Sequence, residues 1–346
     1  MEAGAPTGRR LWVPRLIIAT APQLLLLVIV AVIALVEPRV IERDNLEQVV
    51  TQASPIAILA LGAMVVLLTG GIDLSAGFGV AMVAVSMAAA MSTGAGLAQG
   101  LLVALCFGVG LGLVNGLLVG VLRIPAFIAT LATFTAVQGV TLTQAKTGTL
   151  IVSDATLLRL GTGTIAGVPA PIVVAACVAL VMGVLLRHTR FGVRTYALGS
   201  ASPDAARLSG VPVARHLVLV YVVAGLLTTV AAVVLAGRSG VVAPNLGGVS
   251  LLLDAIAAAV LGGTSIFGGR GTVLGTLTGA VIIALVTNAL RVSGLDASSL
   301  DLWRGAIIGL ALMVDAGLQF LRRRLEDREV SLAAGASDAP PLPATA

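Results

Sequence analysis

The chain has 346 residues, of which 58% are hydrophobic and only 11% are charged, and its mean hydropathy is +1.07. A soluble domain carries roughly 25% charged residues, so this composition excludes an ordinary soluble protein and indicates a polytopic membrane protein. The net charge of +5 comes from arginines that lie between apolar runs. That pattern is typical of cytoplasmic loops, and nothing in it predicts a nucleic-acid partner.

The apolar runs are continuous over about 20 residues rather than alternating, which favours helices over a membrane β-barrel. We therefore predict an all-α fold, a polytopic transmembrane helical bundle of about ten helices with broken or re-entrant segments. The predicted helices are 16–36, 51–69, 76–91, 97–121, 126–143, 169–186, 217–236, 251–263, 271–290 and 302–321.

The distribution of arginines predicts the orientation. When the N-terminus is placed in the cytoplasm and the helices alternate, most of the basic residues fall inside, as the positive-inside rule requires. The predicted parts are then a cytoplasmic segment 1–15, a transmembrane domain 16–321 with a cytoplasmic loop at 187–216, and a disordered cytoplasmic tail at 322–346.

A first predicted helix break combines two glycines, Gly70 and Gly71, with the polar residues Asp73 and Ser75. A charge near the bilayer centre costs about 2.5–3.5 kcal/mol, so the break is expected to face protein or water rather than lipid. Three roles remain open for Asp73. It caps the next helix, with Ser75 as the alternative cap, or it lines a pathway, or it couples movement to a proton or sodium ion.

A second break is predicted because the helix at 251–263 is about 13 residues long, which is short for a hydrocarbon core of about 30 Å. The segment either ends as a half-helix or continues through a polar, glycine-rich stretch. Residues 260–263 echo residues 68–71 in a few positions, which suggests an internal repeat around a pathway. The residues of this second break are Gly262, Gly263, Thr264 and Ser265.

Glycines recur at every fourth position of two predicted helices. Such spacing places them on one helix face, where a neighbouring backbone can approach closely. Tight packing is the principal interpretation, and packing that also forms a seam between two copies or moves during transport is the alternative. The two sets are Gly108, Gly112, Gly116 and Gly120 in one helix, and Gly271, Gly275 and Gly279 in the other.

The loop at 187–216 contains a candidate coupling helix. Ser202 fits an N-cap, Pro203 fits the first helical position, and Gly210 fits the end. So short a helix is not stable alone, and it docks either on a partner or on the helix ends of this chain. The segment comprises Ser202, Pro203, Asp204, Ala205, Ala206, Arg207, Leu208, Ser209 and Gly210.

Other polar residues have mainly structural interpretations. Asp254 is predicted to be a buried hydrogen-bond partner rather than a substrate contact, and Asn288 is predicted to bond a neighbouring helix. In the segment 123–125, Arg123 is predicted to anchor the chain on the cytoplasmic side and Pro125 to begin a new helix. Phe127 and Thr130, which follow them, are candidates to face a pore.

No catalytic or metal-binding pattern is present in the sequence. Residues 268–271 are glycine-rich but are followed by no Gly-Lys-Ser/Thr, so they predict a tight turn and not a phosphate loop. His188 and His216 have no cysteine or carboxylate at ligand spacing. We therefore expect neither an enzyme nor a cofactor.

Four segments carry a family resemblance, in the same order as in that family: 69–75, 123–131, 192–210 and 253–271. Over roughly residues 50–320 the chain resembles the permeases of sugar-type ABC importers, the ribose, xylose and galactoside branch, which are related to branched-chain amino-acid permeases. It departs from that family where Ala201 and Thr287 replace asparagines.

The resemblance implies a permease in the bacterial cell membrane that carries a pentose, hexose or galactoside across the bilayer. It implies a second permease copy or paralogue, cytosolic ATPase subunits and a periplasmic or lipid-anchored binding protein, with the segment from Ser202 to Gly210 seated in an ATPase groove. A branched-chain amino acid or a nucleoside remains an alternative substrate. An ion-coupled transporter that uses Asp73 is the alternative from another class.

Overall fold

The computed structural model describes residues 38–145, 148–200 and 203–294 continuously, and scattered helical residues between 24 and 35 and between 302 and 317. In the continuous ranges the chain is almost entirely helical. The α-helices are α1 (Arg43–Leu68), α2 (Ala76–Ser92), α3 (Leu97–Gly116), α4 (Ala126–Ala145), α5 (Ala155–Thr162), α6 (Ala170–His188), α7 (Arg190–Ser200), α8 (Pro203–Leu208), α9 (Val213–Ser239), α10 (Gly248–Leu261) and α11 (Val273–Val292).

Short non-α elements complete these ranges. A 3₁₀ turn (Pro38–Ile41) precedes α1, and π-helical residues Leu117–Val121 extend α3. Two antiparallel strand pairs join loops at the end of the bundle where α1 begins. The pairs are β1 (Leu150–Ile151) with β4 (Val241–Val242), and β2 (Thr164–Ile165) with β3 (Val168–Pro169).

Eight of the ten predicted helices have counterparts among the described residues. In the described part of the chain, six helices are long and apolar enough to cross a membrane, namely α1, α3, α4, α6, α9 and α11. The helix α10 has 14 residues, about 21 Å at 1.5 Å per residue, and it ends at the predicted break as a half-helix. The predicted first and last helices lie largely outside the described residues, and segments 1–15 and 322–346 lie wholly outside them.

Several predicted boundaries are wrong. The helix predicted from residue 51 begins at Arg43, because its first two turns are polar and a search for apolar runs does not include them. The segment 187–216 was expected to hold one short helix and in fact holds two, since α7 precedes α8. Helix α5 was also not predicted, although the Asp154 carboxylate caps it by accepting from the backbone N–H groups of Thr156 and Leu157.

The helix α1 forms the centre of the bundle. From Ala53 to Leu68 every residue of α1 is buried, and α6, α9, α10 and α11 all pack against it. A helix that is apolar on all sides is suited to the centre of a bundle or to contact with lipid, and α1 occupies the centre. The outward faces of α3, α4 and α6 carry exposed aliphatic side chains instead, as expected of surfaces that meet lipid.

Both glycine sets pack within the chain, which confirms the tight-packing interpretation. A Cβ at Gly116 would lie 2.7 Å from the Val218 Cα, and a Cβ at Gly108 would lie 2.8 Å from the Gly225 carbonyl oxygen. The α3 set therefore allows α9 to approach closely. Of the second set, Gly271 lies before α11 and packs against Thr264 instead. A Cβ at Gly279 would overlap the carbonyl oxygen of Ala258, so the glycines within α11 fit this helix against α10.

Candidate functional site

The first break ends α1 with a glycine cap. Gly70 has a φ of 78°, a left-handed conformation that glycine adopts without steric cost. Its N–H donates to the Leu67 carbonyl at 2.8 Å, and the Gly71 N–H donates to the Val66 carbonyl at 3.2 Å. These two bonds form a Schellman motif, so the two glycines stop the helix as the sequence predicts.

Asp73 and Ser75 lie just before the next helix, α2, and form its N-terminal cap. The Asp73 Oδ1 accepts hydrogen bonds from the Ser75 N–H at 2.9 Å and from the Ser75 hydroxyl at 2.6 Å. Ser75 is fully buried and Asp73 is only 9% exposed. This Asx turn satisfies backbone donors at the start of α2. Of the three interpretations, the capping one matches these contacts.

A buried polar chain extends from this cap into two neighbouring helices. The Asn115 amide in α3 donates to the Ser75 hydroxyl oxygen at 2.8 Å, and the Thr133 hydroxyl in α4 donates to the Asn115 Oδ1 at 2.7 Å. All of these side chains are buried. Sequence reasoning missed Asn115 and Thr133, although a lone asparagine in an apolar helix is a signal for an interhelical hydrogen bond.

Thr130 contacts the first break through a hydrogen bond, whereas Phe127 lies on the outer face of α4. The Thr130 side chain is fully buried, and its hydroxyl lies 3.0 Å from the carbonyl oxygen of Ile72 and 2.8 Å from that of Ala126. Phe127 is 52% exposed on the outer face of α4. The two residues therefore do not face one common surface of this chain.

The second break repeats the geometry of the first. Gly263 has a φ of 87°, its N–H donates to the Val260 carbonyl at 2.8 Å, and the Thr264 N–H donates to the Ala259 carbonyl at 3.0 Å. In structural terms Gly70 corresponds to Gly263, one position from the match suggested by sequence. The same motif also ends α2 and α8, so the echo reflects a shared helix cap and is not by itself a repeat.

The residues after this cap form a tight turn. The Ser265 N–H donates to the Arg270 carbonyl at 2.8 Å, and the Phe267 N–H donates to the Ser265 hydroxyl at 3.2 Å. Gly268 and Gly269 both have positive φ within the turn. The predicted tight turn is therefore present.

The two breaks meet in space. The Gly269 N–H donates a hydrogen bond of 2.9 Å to the carbonyl oxygen of Leu68, the last residue of α1. A Cβ at Gly268 would lie 3.0 Å from the Gly70 nitrogen. The sequence predicts both breaks, but their direct contact becomes evident only in three dimensions. We refer to residues 68–75 and 262–271 together as the break junction.

A buried tyrosine next to the junction was also missed. The Tyr221 hydroxyl in α9 would lie 3.2 Å from a Cβ at Gly71. Within the described residues neither this hydroxyl nor that of the buried Thr264 has a hydrogen-bond partner. An unpaired buried hydroxyl is uncommon.

The coupling segment is described in part. Ser202 lies outside the described residues, and residues 203–208 form the helix α8, which ends at Gly210 with a φ of 80°. Ala206 is buried against Leu198 and Val213. Leu208, by contrast, is 91% exposed.

The remaining predicted residues are structural. The side-chain amides of Asn288 and Asn45 exchange hydrogen bonds of 2.9 and 3.1 Å, which confirms the predicted interhelical bond. His216 is buried and lies 2.9 Å from the Thr195 hydroxyl, and Asp254 is buried as expected. In the part of the chain that the structure describes, no three metal-ligating side chains come together.

These features define an α-helical membrane transport protein, in which interrupted helices meet at one end of the bundle. The family model described as the branched-chain amino acid transport system / permease component matches residues 45–314, and the chain belongs to this family of permeases. This match confirms the relationship predicted from the four sequence segments. The chain is a multi-pass protein of a bacterial cell membrane.

Three curated relatives show how far the similarity extends. The ribose import permease protein of Escherichia coli strain K12 is 34% identical over 91% of this chain and 99% of its own length. The ribose import permease protein of Bacillus subtilis is 36% identical over 85% of this chain and 91% of its own. The galactose/methyl galactoside import permease protein of Haemophilus influenzae is 32% identical over 86% and 94%. No solved structure matches the chain.

Proposed function

We propose that this chain forms the membrane pathway of an ATP-driven importer for a pentose, hexose or galactoside. The observation that carries the proposal is its similarity over nearly its full length to the ribose and galactoside import permeases. Those relatives favour a sugar over a branched-chain amino acid. Family membership also favours an ATP-driven importer over an ion-coupled transporter.

ATP hydrolysis and tight sugar recognition belong to partner chains in this proposal. A P-loop needs Gly-Lys-Ser/Thr, but the single lysine of the chain, Lys146, follows Ala145. The chain has only two tryptophans and two tyrosines, few rings to stack on a sugar. A binding protein outside the membrane therefore delivers the sugar, and ATPase subunits act from the cytoplasm.

The cytoplasmic side is the end that carries α7, α8 and the break junction. Among the described residues, apart from the buried Asp73 and Asp254, this end holds seven arginines against one carboxylate, whereas the opposite end holds five arginines against four carboxylates. The first set is Arg123, Arg187, Arg190, Arg194, Arg207, Arg215 and Arg270 with Asp204, and the second is Arg39, Arg43, Arg159, Arg238 and Arg291 with Glu42, Asp44, Glu47 and Asp154. Such an excess of arginine marks a cytoplasmic face. Together with the predicted first and last helices, this assignment implies that both ends of the chain lie in the cytoplasm.

The helix α8 is the proposed contact with an ATPase. Its buried Ala206 fixes it to α7 and α9, and its exposed Leu208 presents an apolar side chain to water. A leucine that is 91% exposed at the tip of a cytoplasmic helix is well suited to enter a groove on a partner.

The helix α7 connects this contact to both breaks. A Cβ at Gly199 would overlap the carbonyl oxygen of Leu68 and would lie 2.9 Å from the carbonyl carbon of Gly268. The Tyr196 hydroxyl donates a 2.8 Å hydrogen bond to the carbonyl oxygen of Gly271. A tyrosine is protonated at neutral pH, and burial raises the pKa of Tyr196 further, so its hydroxyl remains a donor. Movement of α8 would therefore reach both breaks through α7.

The proposed cycle follows from this linkage. ATP binding draws the two ATPases together, α8 moves with them, and α7 shifts the break junction of each permease copy. The pathway at the seam between the two copies then alternates between its outward and inward openings. Because the binding protein delivers the sugar, the pathway itself needs only weak affinity for it.

The test compares two exposed aliphatic residues at opposite ends of the molecule. Leu208→Asp is expected to abolish co-purification of the ATPase and the ATP hydrolysis that the binding protein stimulates. Ile151→Asp, at a residue that is 76% exposed near the other end, is expected to leave ATPase association unchanged. Deletion of residues 202–210 with retention of the ATPase would contradict the coupling assignment.

A further inference from the structure

The chain turns sharply where α6 meets α7. Helix α6 ends at His188 and α7 begins at Arg190. A Cβ at Gly192 would overlap the carbonyl oxygen of Leu186, so only glycine lets α7 fold so closely against the end of α6. The Thr189 hydroxyl fixes the corner by donating to the Leu185 carbonyl at 2.6 Å and accepting from the Phe191 N–H at 3.1 Å.

A basic cavity of about 370 Å³ lies on the outer side of this corner. Its lining contains three guanidinium groups and one imidazole but no carboxylate. In the part of the chain that the structure describes, none of the three arginines forms an ion pair or a hydrogen bond. The lining residues are Arg187, His188, Thr189, Arg190, Val193 and Arg194.

The basic lining of this cavity favours binding of an anion. Several positive groups that line one cavity raise the local positive potential and thereby attract an anion. Their planar donors match the oxygens of a phosphate. No acidic side chain of the described residues lines the cavity, so an anion that enters it meets no like charge there.

An apolar wall continues from the cavity towards the membrane. Leu180 is 70% exposed on the outer face of α6, and Val181 and Val184 are exposed beside it. Val193, in the cavity lining itself, is exposed as well. Cationic groups above an aliphatic surface match a phospholipid, whose headgroup carries the phosphate and whose acyl chain lies along the helix.

We propose that this corner, residues 187–194 with the outer face of α6, binds an anionic phospholipid. The phosphate lies among Arg187, Arg190 and Arg194, and an acyl chain follows Leu180 and Val184. A free phosphate would use the same guanidinium groups but not the apolar wall, and this wall is the reason for choosing a lipid. The bound lipid fixes the α6–α7 corner, from which α7 extends to the break junction.

The test measures thermal stability of the full-length chain in neutral detergent with added lipid. Phosphatidylglycerol is expected to raise the unfolding temperature more than phosphatidylcholine at equal concentration. Each single substitution, Arg187→Gln, Arg190→Gln or Arg194→Gln, is expected to weaken phosphatidylglycerol binding about fivefold. Arg123→Gln and Arg215→Gln serve as controls, because these arginines are exposed at the same end of the molecule but outside the cavity.

Three results would overturn the proposal. The first is equal stabilisation by phosphatidylglycerol and phosphatidylcholine. The second is an equal loss of binding in the control variants, which would indicate only a general attraction of the basic face. The third is full stabilisation by inorganic phosphate alone, which would identify a soluble anion. Because the measurement uses the isolated chain, its outcome does not depend on the proposed transport function.

Discussion

The Gly269 N–H donates a 2.9 Å hydrogen bond to the carbonyl oxygen of Leu68, and this bond joins two helix breaks that are about 200 residues apart in sequence. A carbonyl at the end of a helix has no partner within that helix, so the turn of the second break satisfies the end of α1. Gly199 of α7 packs over the same carbonyl. Three segments of the chain, the end of α1, the turn of the second break and α7, thus meet at one point close to α8.

The first prediction uses the only two tyrosines of the chain. The Tyr196 hydroxyl bonds the Gly271 carbonyl, whereas the Tyr221 hydroxyl is buried and has no partner among the described residues. Tyr196→Phe should lower the amount of sugar transported per ATP hydrolysed and cost about 1 kcal/mol of stability. Tyr221→Phe should leave stability unchanged or raise it, because it removes an unpaired buried hydroxyl.

Sugar transport and ATP hydrolysis are measured together in a reconstituted complex of the permease, the ATPase and the binding protein. ATPase association should be equal in both variants, since neither tyrosine belongs to α8. Equal coupling in the two variants would show that α7 does not transmit motion through Tyr196. The role of α8 would still stand on the Leu208 test.

The second prediction compares two glycines of α3 that are two positions apart. A Cβ at Gly112 would overlap the carbonyl oxygen of Tyr221, whereas a Cβ at Gly110 meets no atom within 4 Å. Gly112→Ala should destabilise the protein by about 1–3 kcal/mol or more. Gly110→Ala should be neutral or stabilise it by up to about 1 kcal/mol, since alanine favours the helix.

Thermal unfolding in detergent checks this pair. The control variant has the same change in composition on the same helix, so any difference between the two comes from the contact with α9. Similar unfolding temperatures for both variants would contradict the close approach of α3 and α9.

Both breaks were predictable from the sequence, the first because a glycine pair is followed by a carboxylate in an apolar segment, and the second because a short apolar run ends in a glycine pair. The glycine stripes were predictable for a similar reason, since a spacing of four defines one face of a helix. Neither pattern shows which residue each glycine packs against. Gly112 contacts Tyr221 and Gly275 contacts Gly262, and these pairings depend on how the helices are arranged in three dimensions.

The helix α7 was not predicted from the sequence, for a different reason. Its inward residues Phe191, Thr195 and Leu198 recur at helical spacing, so a signal was present. The surrounding arginines and glycines favour a loop when the sequence is considered alone. In the folded chain, tertiary contacts stabilise the segment as a helix instead. Asn115 illustrates a third case, because its side chain is clearly unusual in an apolar helix but its two partners come from different segments.

The third prediction concerns the buried polar chain. The Thr133 hydroxyl donates to Asn115 at 2.7 Å, whereas the exposed Thr135 bonds only the Leu131 carbonyl of its own helix at 3.2 Å. Thr133→Val should cost about 1 kcal/mol, because it leaves the Asn115 Oδ1 with one donor fewer in a buried site. Thr135→Val should have almost no effect.

Unfolding temperatures of the two valine variants measure the difference. A double variant with Asn115→Leu provides a further check, because the cost of Thr133→Val should fall when its partner is already absent. Additive effects of the two substitutions would indicate that the chain from Ser75 to Thr133 does not act as one network.

The last prediction separates capping from ion coupling at Asp73. Asparagine also has a side-chain oxygen that accepts from the Ser75 N–H and hydroxyl, and it is as good a helix cap as aspartate. Asp73→Asn should therefore retain stability and ATP-dependent transport, whereas Asp73→Ala should lose about 1 kcal/mol because backbone donors at the start of α2 lose their partner. A coupling carboxylate would behave differently, since asparagine cannot take up or release a proton and binds a cation weakly. If Asp73→Asn folds normally but abolishes transport, the carboxylate has a role in the pathway that capping does not explain.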